Sequence, residues 1–487
     1  MASPPDTLRL ATVTIPAPDL RPGIFLRHAA GEERGFWARE DRWVAHRGVA
    51  AELRAGGGEP KEGSGGLRDR FDRVAMAARA VARGPLVPDG KTRAPRVRFY
   101  GGFAFRQDHE ATGVWSDFPS WLFHLPLFEL EGDGSGDAWL RARALVAPKD
   151  EADAFGRLRR LAESLRAELA ARADFAQPGA SARGRATPTD RQSWEEAVEA
   201  SLEAIRGGSI SKTVLARTLD VETDARIDPV DVVERLWEVN RGSHVFLFEP
   251  TPGSAVVGAA PETVATLRDG VFHATAVAGS IRRGENRREQ AELAAELLAS
   301  EKDRTEQRIA LDDMIARLET VAHQIRSDPQ PHVLTLARIQ HLETEIRASV
   351  SSDVGILDLL RLLHPTPAVC GLPRDAALDF LAEEEPFERG WYAGPVGWFD
   401  ADGNGVFAPA LRTAVSTGSG WRLFAGAGIV EGSVPALEWE ETAIKFQPVL
   451  DALAAAGADL ETAPSLPGVD PGEGEPSASP RPPATES

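Results

Sequence analysis

Apolar and polar residues along this chain follow two different periods, which predicts a mixture of strands and helices. The segment 96–105 begins with polar–apolar alternation, meets two glycines and continues, so it predicts a strand with a glycine break. Glycine turns separate several further strand-like segments within residues 391–430. Short apolar runs predict additional strands at residues 12–15, 23–26, 210–219 and 245–248.

Helical spacing dominates other parts of the chain. Residues 150–172 place apolar side chains on one face of a helix, and residues 286–327 predict one or two long helices. Ser193, followed by Glu196, predicts a capping box at the start of another helix. Because helices and strands both recur along the whole chain, the predicted fold class is α+β.

Glycine, proline and serine mark the boundaries between these segments. Residues 55–66 predict a flexible loop, and residues 177–188 separate two parts of the chain. The Pro-, Gly-, Ser- and Glu-rich composition of the C-terminal segment cannot build a core. We therefore predict an N-terminal part at 1–180, a second part at 190–452 and a disordered tail at 455–487.

Composition narrows the class of protein. Among 487 residues, 42% are hydrophobic, yet no apolar run is long enough for a transmembrane helix and no secretory signal is visible. The single cysteine, Cys370, excludes an internal disulfide and a Cys-rich metal site, so we expect a cytoplasmic protein. The net charge of −19 disfavours binding to nucleic acid or to anionic membranes. An anionic substrate would therefore need cations within its own pocket.

Four ordered motifs carry a resemblance to a known family. They occupy residues 363–373 (LHPTPAVCGLP), 392–397 (YAGPVG), 426–430 (GAGIV) and 438–442 (EWEET), the last being followed by Lys445. This series resembles the C-terminal half of the chorismate-utilising enzymes, in the variant of isochorismate synthase, and the resemblance covers about residues 190–452. It implies two antiparallel sheets packed face to face, helices outside, a central active-site cleft and a divergent N-terminal scaffold.

The resemblance also implies an activity, the Mg²⁺-dependent isomerisation of chorismate to isochorismate. Lys212, within the segment 210–217, would be the general base that activates water for attack at C2 of the ring. Glu262, after a run of small residues, would be the general acid that protonates the departing C4 hydroxyl. Without the resemblance, Lys212 would be interpreted as a solvated lysine and Glu262 as a loop end.

Two pairs of carboxylates have the i, i+3 spacing that places both members on one helix face. The resemblance assigns Glu306 and Glu441 as direct Mg²⁺ ligands, and Asp303 and Glu438 as residues that contact the metal through water. In an acidic protein, the same spacing would by itself indicate solvated helix faces. Gln307 departs from the family, in which many relatives have histidine at this position.

Further residues are implied to bind the substrate. Arg412 and Lys445 would hold the enolpyruvyl carboxylate, because arginine can bind a carboxylate through two hydrogen bonds. The other implied substrate contacts are Gly279, Ser280, Ala368, the Tyr392 hydroxyl and the backbone N–H groups of Gly426, Ala427 and Gly428. His341 matches a family histidine near the pocket, but its role stays open at this point.

Several alternatives stay open from sequence. Salicylate synthase, which also eliminates pyruvate, is the nearest rival, and a non-catalytic binding protein on the same scaffold is a rival from another class. Weak N-terminal similarity at residues 36–37 and 114–119 favours the menaquinone pathway over a siderophore pathway. The expected partner is chorismate. No glutaminase subunit is expected, and a site complete within one chain is compatible with a monomer.

Overall fold

The computed structural model describes residues 8–56, 69–86, 96–172, 181–418 and 420–461. Its strands in chain order are β1 (Arg9–Pro16), β2 (Arg34–Arg39), β3 (Arg42–Arg54), β4 (Arg98–Phe103), β5 (Trp121–Gly132), β6 (Ala138–Val146), β7 (Ala182–Pro188), β8 (Lys212–Thr223), β9 (His244–Thr251), β10 (Ser254–Ala260), β11 (Ala265–Arg268), β12 (Val271–Arg282), β13 (Ala322–Ser327), β14 (His332–Thr335), β15 (Ile339–Val350), β16 (Gly371–Leu372), β17 (Pro395–Asp400), β18 (Gly405–Pro409), β19 (Thr413–Thr417), β20 (Gly420–Ile429) and β21 (Ala458–Glu461). Its α-helices are α1 (Pro22–His28), α2 (Arg70–Val81), α3 (Glu151–Ala170), α4 (Arg191–Arg206), α5 (Pro229–Val239), α6 (Arg287–Ala299), α7 (Glu301–Leu318), α8 (Ile356–Leu363), α9 (Arg374–Glu384) and α10 (Pro435–Ala455).

Apart from β21, which pairs in parallel with β7, the strands form two antiparallel sheets that are joined at the long strand β5. One sheet runs in the order β7, β8, β20, β19, β10, β9, β2, β3, β5, β6, β1. The other continues from β5 through β4, β17, β18, β11, β12 and β15, with β13 and β14 along the outer side of β15. The predicted α+β class with two antiparallel sheets is confirmed.

Helices cover the sheets through apolar faces. In α5, Val230, Val233 and Leu236 are fully buried, and α10 packs on β20 with Phe446 and Val449 buried. Burying one such side chain contributes about 1.5–3 kcal/mol, so these faces hold the helices in place. No helix in the described ranges is both long and apolar enough to cross a membrane.

The local periods predicted many elements correctly, including β1, β8, β9 and α3. The strand predicted from residue 96 is also present, since β4 runs through both glycines. The predicted strand at 23–26 is wrong, because these residues lie in helix α1. Pro22 occupies the first turn of α1, where its fixed φ favours a helix, and a four-residue apolar run cannot distinguish the two structures.

Three boundaries also differ from prediction. The cap of α4 is Asp190, whose carboxylate accepts the Ser193 N–H at 2.9 Å, so the predicted capping box at Ser193 is wrong. The predicted helical stretch 286–327 contains α6 and α7 but ends in strand β13, which pairs with β15. The segment 177–188 contains strand β7, held by pairing with β8.

The C-terminal boundary needs a further correction. The predicted tail begins at 455, yet β21 at Ala458–Glu461 pairs in parallel with β7. Residues 462–487 of that tail, and residues 57–66 of the predicted loop, lie outside the described residues.

Candidate active site

A cavity of about 660 Å³, including its open mouth, lies where residues of both sheets face each other. The first sheet contributes Val214 of β8 and Phe424 of β20, and the second contributes Ala278 of β12 and His341 of β15. The predicted site residues that line it are Glu262, Gly279, Ser280, Glu306, Ala368, Tyr392, Arg412, Gly426, Gly428, Glu441 and Lys445. Lys212, Asp303, Ala427 and Glu438 are not among the lining residues.

Lys212 begins β8 and its side chain is completely buried, which excludes the solvated lysine. Its Nζ lies 3.0 Å from Glu306 Oε1, so Lys212 is directly behind a carboxylate that lines the cavity. Burial alone would raise the pKa of Glu306, but Lys212, Lys445 and Lys302 outweigh it and lower that pKa. Glu306 is therefore held as a carboxylate at the cavity wall.

Glu262 follows β10 and is only 2% exposed. Its Oε1 has no hydrogen-bond partner among the described residues. Burial raises its pKa from 4.5 to about 8; the Lys212 charge opposes this shift and Glu343 adds to it. At neutral pH, Glu262 is thus mainly a neutral carboxylic acid, which can donate a proton into the cavity.

The carboxylates of α7 and α10 approach one another beside the cavity. Burial, together with the charges of Glu306 and Glu441, raises the pKa of Asp303, although Ser300 donates a hydrogen bond to it. Burial and Glu441 likewise raise the pKa of Glu438. Such crowding of like charges would be relieved by a cation, and carboxylate oxygens are the ligands that Mg²⁺ prefers.

Lysines neutralise this cluster in the described structure. Lys302 Nζ donates to Glu438 Oε1 at 2.6 Å, and Lys445 Nζ donates to Glu441 Oε1 at 2.5 Å. The described residues contain no group of three or more His, Cys, Asp or Glu side chains arranged to hold a metal ion. The sequence prediction missed Lys302, although it directly precedes Asp303 in the same motif.

Two glycines let backbone and carboxylates approach closely. A Cβ at Gly428 of β20 would lie 2.0 Å from Glu306 Oε1, so any side chain there would displace that carboxylate. Gly279 has φ of +74°, and a Cβ there would lie 2.8 Å from Asp303 Cβ. Both predicted glycines are therefore required by contacts with the acidic residues of α7 as well as by their position at the cavity.

Arg412 and His341 contact each other in the wall of the cavity. The His341 Nδ1 lies 3.1 Å from the Gly279 carbonyl oxygen and 3.0 Å from Ser280 Oγ. Since a carbonyl only accepts, we assign the proton to Nδ1, and Nε2 then accepts from Arg412 Nη2 at 3.0 Å. Burial and the Arg412 charge hold the pKa of His341 well below its usual value, which agrees with a neutral ring. His341 thus orients Arg412.

Arg412 keeps its positive charge despite burial. Burial lowers its pKa to about 10, which is still well above neutral pH. Lys445 lies at the same end of the cavity, where its Nζ donates to the Gly426 carbonyl oxygen at 2.8 Å as well as to Glu441. The cavity therefore holds the two cations that an anionic substrate in this acidic protein requires.

The remaining predicted contacts divide between the two faces of β20. The Tyr392 ring stacks on Phe424 at 5.1 Å, and a Cβ at Gly426 would lie 3.0 Å from the Tyr392 hydroxyl. Ala427 is completely buried and is not among the lining residues, because side chains alternate along a strand. The structure thus separates the Ala427 side chain from the neighbouring glycines.

A buried ion pair supports the cavity wall from behind and was missed by the sequence prediction. Arg389 pairs with Glu385 at 2.5 Å and donates to the carbonyl oxygens of Val214 at 2.6 Å and Val369 at 2.9 Å. Glu385 in turn accepts the Ala216 N–H at 2.8 Å. Arg389 lies three residues before the motif at 392–397, and this proximity is the sequence feature that could have identified it.

Comparison with known proteins gives consistent matches. The family described as chorismate binding enzyme matches residues 4–454. The salicylate biosynthesis isochorismate synthase of Pseudomonas aeruginosa is 35% identical over 427 residues, covering 87% of this chain and 85% of that protein. Isochorismate synthase MenF of Bacillus subtilis is 34% identical over 356 residues, covering 73% of this chain and 74% of that protein. The solved structure of MenF, the menaquinone-specific isochorismate synthase of Escherichia coli, aligns with a TM-score of 0.73 and 25% identity over 93% of this chain and 95% of that one.

Proposed function

The chain belongs to the family of chorismate-binding enzymes, and we propose that it is an isochorismate synthase that converts chorismate to isochorismate. The observation that carries the proposal is Glu262, a buried carboxyl with a pKa of about 8 and an unpartnered oxygen at a cavity that also holds Arg412 and Lys445. This combination supplies a proton donor beside groups that bind an anion, as the reaction requires.

The proposed reaction balances without an external oxidant or reductant. A water oxygen forms a bond to ring carbon C2, and its proton passes to the amine of Lys212, the proposed base. The two ring double bonds shift in concert, and the bond between C4 and its hydroxyl breaks. Glu262 protonates the departing hydroxyl, which leaves as water. One water is consumed and one is released, so the net change is an isomerisation.

The carboxylates of α7 and α10 have the donor chemistry that a divalent cation prefers, and two of them, Glu306 and Glu441, line the cavity. Glu306 and Glu441 would hold Mg²⁺ directly, and Asp303 and Glu438 would support it through water. When bound, Mg²⁺ would supply positive charge that attracts the ring carboxylate. The close approach of Glu306 to Gly428 supports this assignment, since a side chain at Gly428 would displace the carboxylate.

The other lining residues would bind and orient the substrate. Arg412, oriented by His341, and Lys445 would bind the enolpyruvyl carboxylate. The Tyr392 hydroxyl and the backbone of Gly426, Ala427 and Gly428 would add hydrogen bonds at that end. Gly279 and Ser280 would contact the ring carboxylate, and Ala368 would face the substrate with a methyl group only.

We extend the proposal to the organisation of the protein. All described residues that line the cavity lie between Val214 and Lys445 of one chain, which supports a catalytic part at 190–452 and a scaffold part at 1–180. This single-chain lining is compatible with an active monomer that needs no glutaminase subunit and works in the cytoplasm. The menaquinone pathway stays a prediction, because the relatives include both a salicylate biosynthesis and a menaquinone-specific isochorismate synthase.

The decisive experiment is incubation of the purified protein with chorismate and Mg²⁺, followed by chromatographic separation of the products. Isochorismate is expected as the main product, with the reverse reaction observable from isochorismate. If the folded protein leaves chorismate unchanged, the proposed function is wrong.

A further inference from the structure

Arg217 is an unusual residue in the core. It is completely buried, and its Nη1 has no hydrogen-bond partner among the described residues. Burial lowers its pKa to about 9, with no carboxylate charge acting in the opposite direction. A buried charge without an opposite charge is costly, so stability alone does not account for an arginine at this place.

The contacts of Arg217 all lead from β8 to one helix, α10. Its Nε donates to Thr442 Oγ1 at 2.7 Å, and its Nη2 donates to the Trp439 carbonyl oxygen at 3.3 Å. The guanidinium also lies over the Trp439 ring, 3.6 Å from the centroid, and 4.9 Å from the centroid of Phe446. One side chain thus contacts α10 over about two turns.

These three contact residues form a stripe next to the functional stripe of α10. Trp439, Thr442 and Phe446 follow Glu438, Glu441 and Lys445 by one residue each. One residue corresponds to about 100° of rotation around a helix axis. Because Arg217 fixes one stripe, it also fixes the direction in which the neighbouring stripe points.

Packing on β20, α5 and α4 holds α10 against its neighbours, and Arg217 adds hydrogen bonds of defined direction to this part of the helix. The N-cap residue Val434 makes no side-chain hydrogen bond, and Leu437 is 60% exposed. Pro448 lies inside the helix, where it lacks an N–H and its ring crowds the carbonyl of Ile444, which weakens the tie to the following turns. Glu438 and Lys445 also contact other elements, but they do so through the carboxylate and the ammonium group that would bind Mg²⁺ and the substrate.

We infer that Arg217 is a positioning residue, which sets the rotation of α10 so that Glu438 and Glu441 face Glu306 and Lys445 faces the substrate carboxylate. The identity of the cation and of the substrate rests on the proposed function. Arg217 touches neither of them, and it acts through the helix.

The test compares R217M and R217K with wild type by calorimetric titration of Mg²⁺ and of chorismate. R217M removes the uncompensated charge while keeping length, so the fold is expected to persist by circular dichroism. Its Mg²⁺ dissociation constant is expected to rise about 10–100-fold, the usual loss when a supporting partner of a metal ligand is removed. KM for chorismate should rise more than kcat falls, and R217K should lie between R217M and wild type.

R70M is the matched control. Arg70 is also buried, donates to the carbonyl oxygens of Ala104 and Arg106, and lies over the rings of Phe71 and Phe103, none of which lines the cavity. Folded R70M should bind Mg²⁺ as wild type does. If R217M does not fold, T442V decides, because it removes the hydroxyl that accepts from Arg217 and donates to the Trp439 carbonyl oxygen, and it should still raise the Mg²⁺ dissociation constant.

The outcomes separate the two proposals. Folded R217M with a Mg²⁺ affinity within twofold of wild type would overturn the positioning role. Wild type that binds no Mg²⁺ would instead contradict the proposed function, and the chorismate affinities of wild type and R217M would then test the positioning of Lys445. Equal chorismate affinities in that case would also overturn the role of Arg217.

Discussion

Glu262 provides the sharpest test of the proposed chemistry, because its protonation has consequences for both stability and rate. Its pKa of about 8 follows from complete burial, with a contribution from Glu343 that partly offsets Lys212. With this value, about 90% of Glu262 is protonated at pH 7. Glu262→Gln keeps the shape of the neutral acid but removes the proton that the reaction needs.

The magnitude of the stability effect follows from the difference between about 8 in the folded protein and 4.5 for an ordinary glutamate. At about 1.4 kcal/mol per pKa unit, the difference corresponds to roughly 5 kcal/mol. Because the folded state keeps a proton that the unfolded chain releases, the stabilising contribution is complete below about pH 4.5 and is lost as pH rises towards 8. Glutamine does not titrate, so the variant lacks this loss.

The assay measures urea unfolding of wild type and of Glu262→Gln at pH 5, 7 and 9 in EDTA. The free energy of unfolding of wild type should fall relative to the variant across this range, while other titrating groups cancel in the difference. In parallel, kcat of wild type should decline above about pH 8, and the variant should bind chorismate yet turn over about 10²–10⁴-fold more slowly. A stability difference that is constant from pH 5 to 9 would refute the protonated state of Glu262.

Three further predictions concern the proposed base Lys212, the contact of Gly428 with the proposed metal ligand Glu306, and the product that the enzyme releases. Lys212→Ala is expected to lower turnover by about 10²–10⁴-fold; near-normal turnover by a variant with a normal circular dichroism spectrum would exclude Lys212 as the base. Gly428→Ala would place a Cβ 2.0 Å from Glu306 Oε1, so calorimetry should show weakened Mg²⁺ binding. Unchanged binding would contradict Glu306 as a Mg²⁺ ligand. Because Ala368 offers no hydroxyl to the substrate, wild type should release isochorismate with its pyruvyl ether intact; salicylate and pyruvate as the main enzymatic products would instead indicate a salicylate synthase.

Local sequence patterns predicted the helices and strands whose own residues carry a clear apolar period. The helical period gave α3, and the dense apolar runs gave β8 and β9. The strands β7, β13 and β21 were missed because each is short or polar and is held by hydrogen bonds to a distant partner. Their formation depends on tertiary pairing, which periodicity does not contain.

The candidate site shows the same division between local and tertiary information. The motifs predicted which residues gather at the cavity, and most of them line it. The partners that set their charge and direction could not be predicted, since the contacts of Lys302 with Glu438, of His341 with Arg412 and of Arg389 with Val214 span between 71 and 175 positions along the chain. Only the packing of the sheets and helices brings these groups together.

The charge balance of the cavity leads to a last prediction, about the coupling of its ligands. Apart from the proposed base Lys212, three cations lie here, namely Lys302, Lys445 and Arg412, against the four carboxylates of α7 and α10, namely Asp303, Glu306, Glu438 and Glu441. A substrate with two carboxylates would therefore add two negative charges to a site that already holds more carboxylates than cations, and one divalent cation would offset them. Chorismate should accordingly bind much more tightly with Mg²⁺ than in EDTA, and chorismate should tighten Mg²⁺ binding by the same factor, as linkage requires. Calorimetric titrations in both orders, with the inactive Glu262→Gln variant to prevent turnover, measure the two factors. Equal chorismate affinity with and without Mg²⁺ would show that the cluster does not hold its cation beside the substrate.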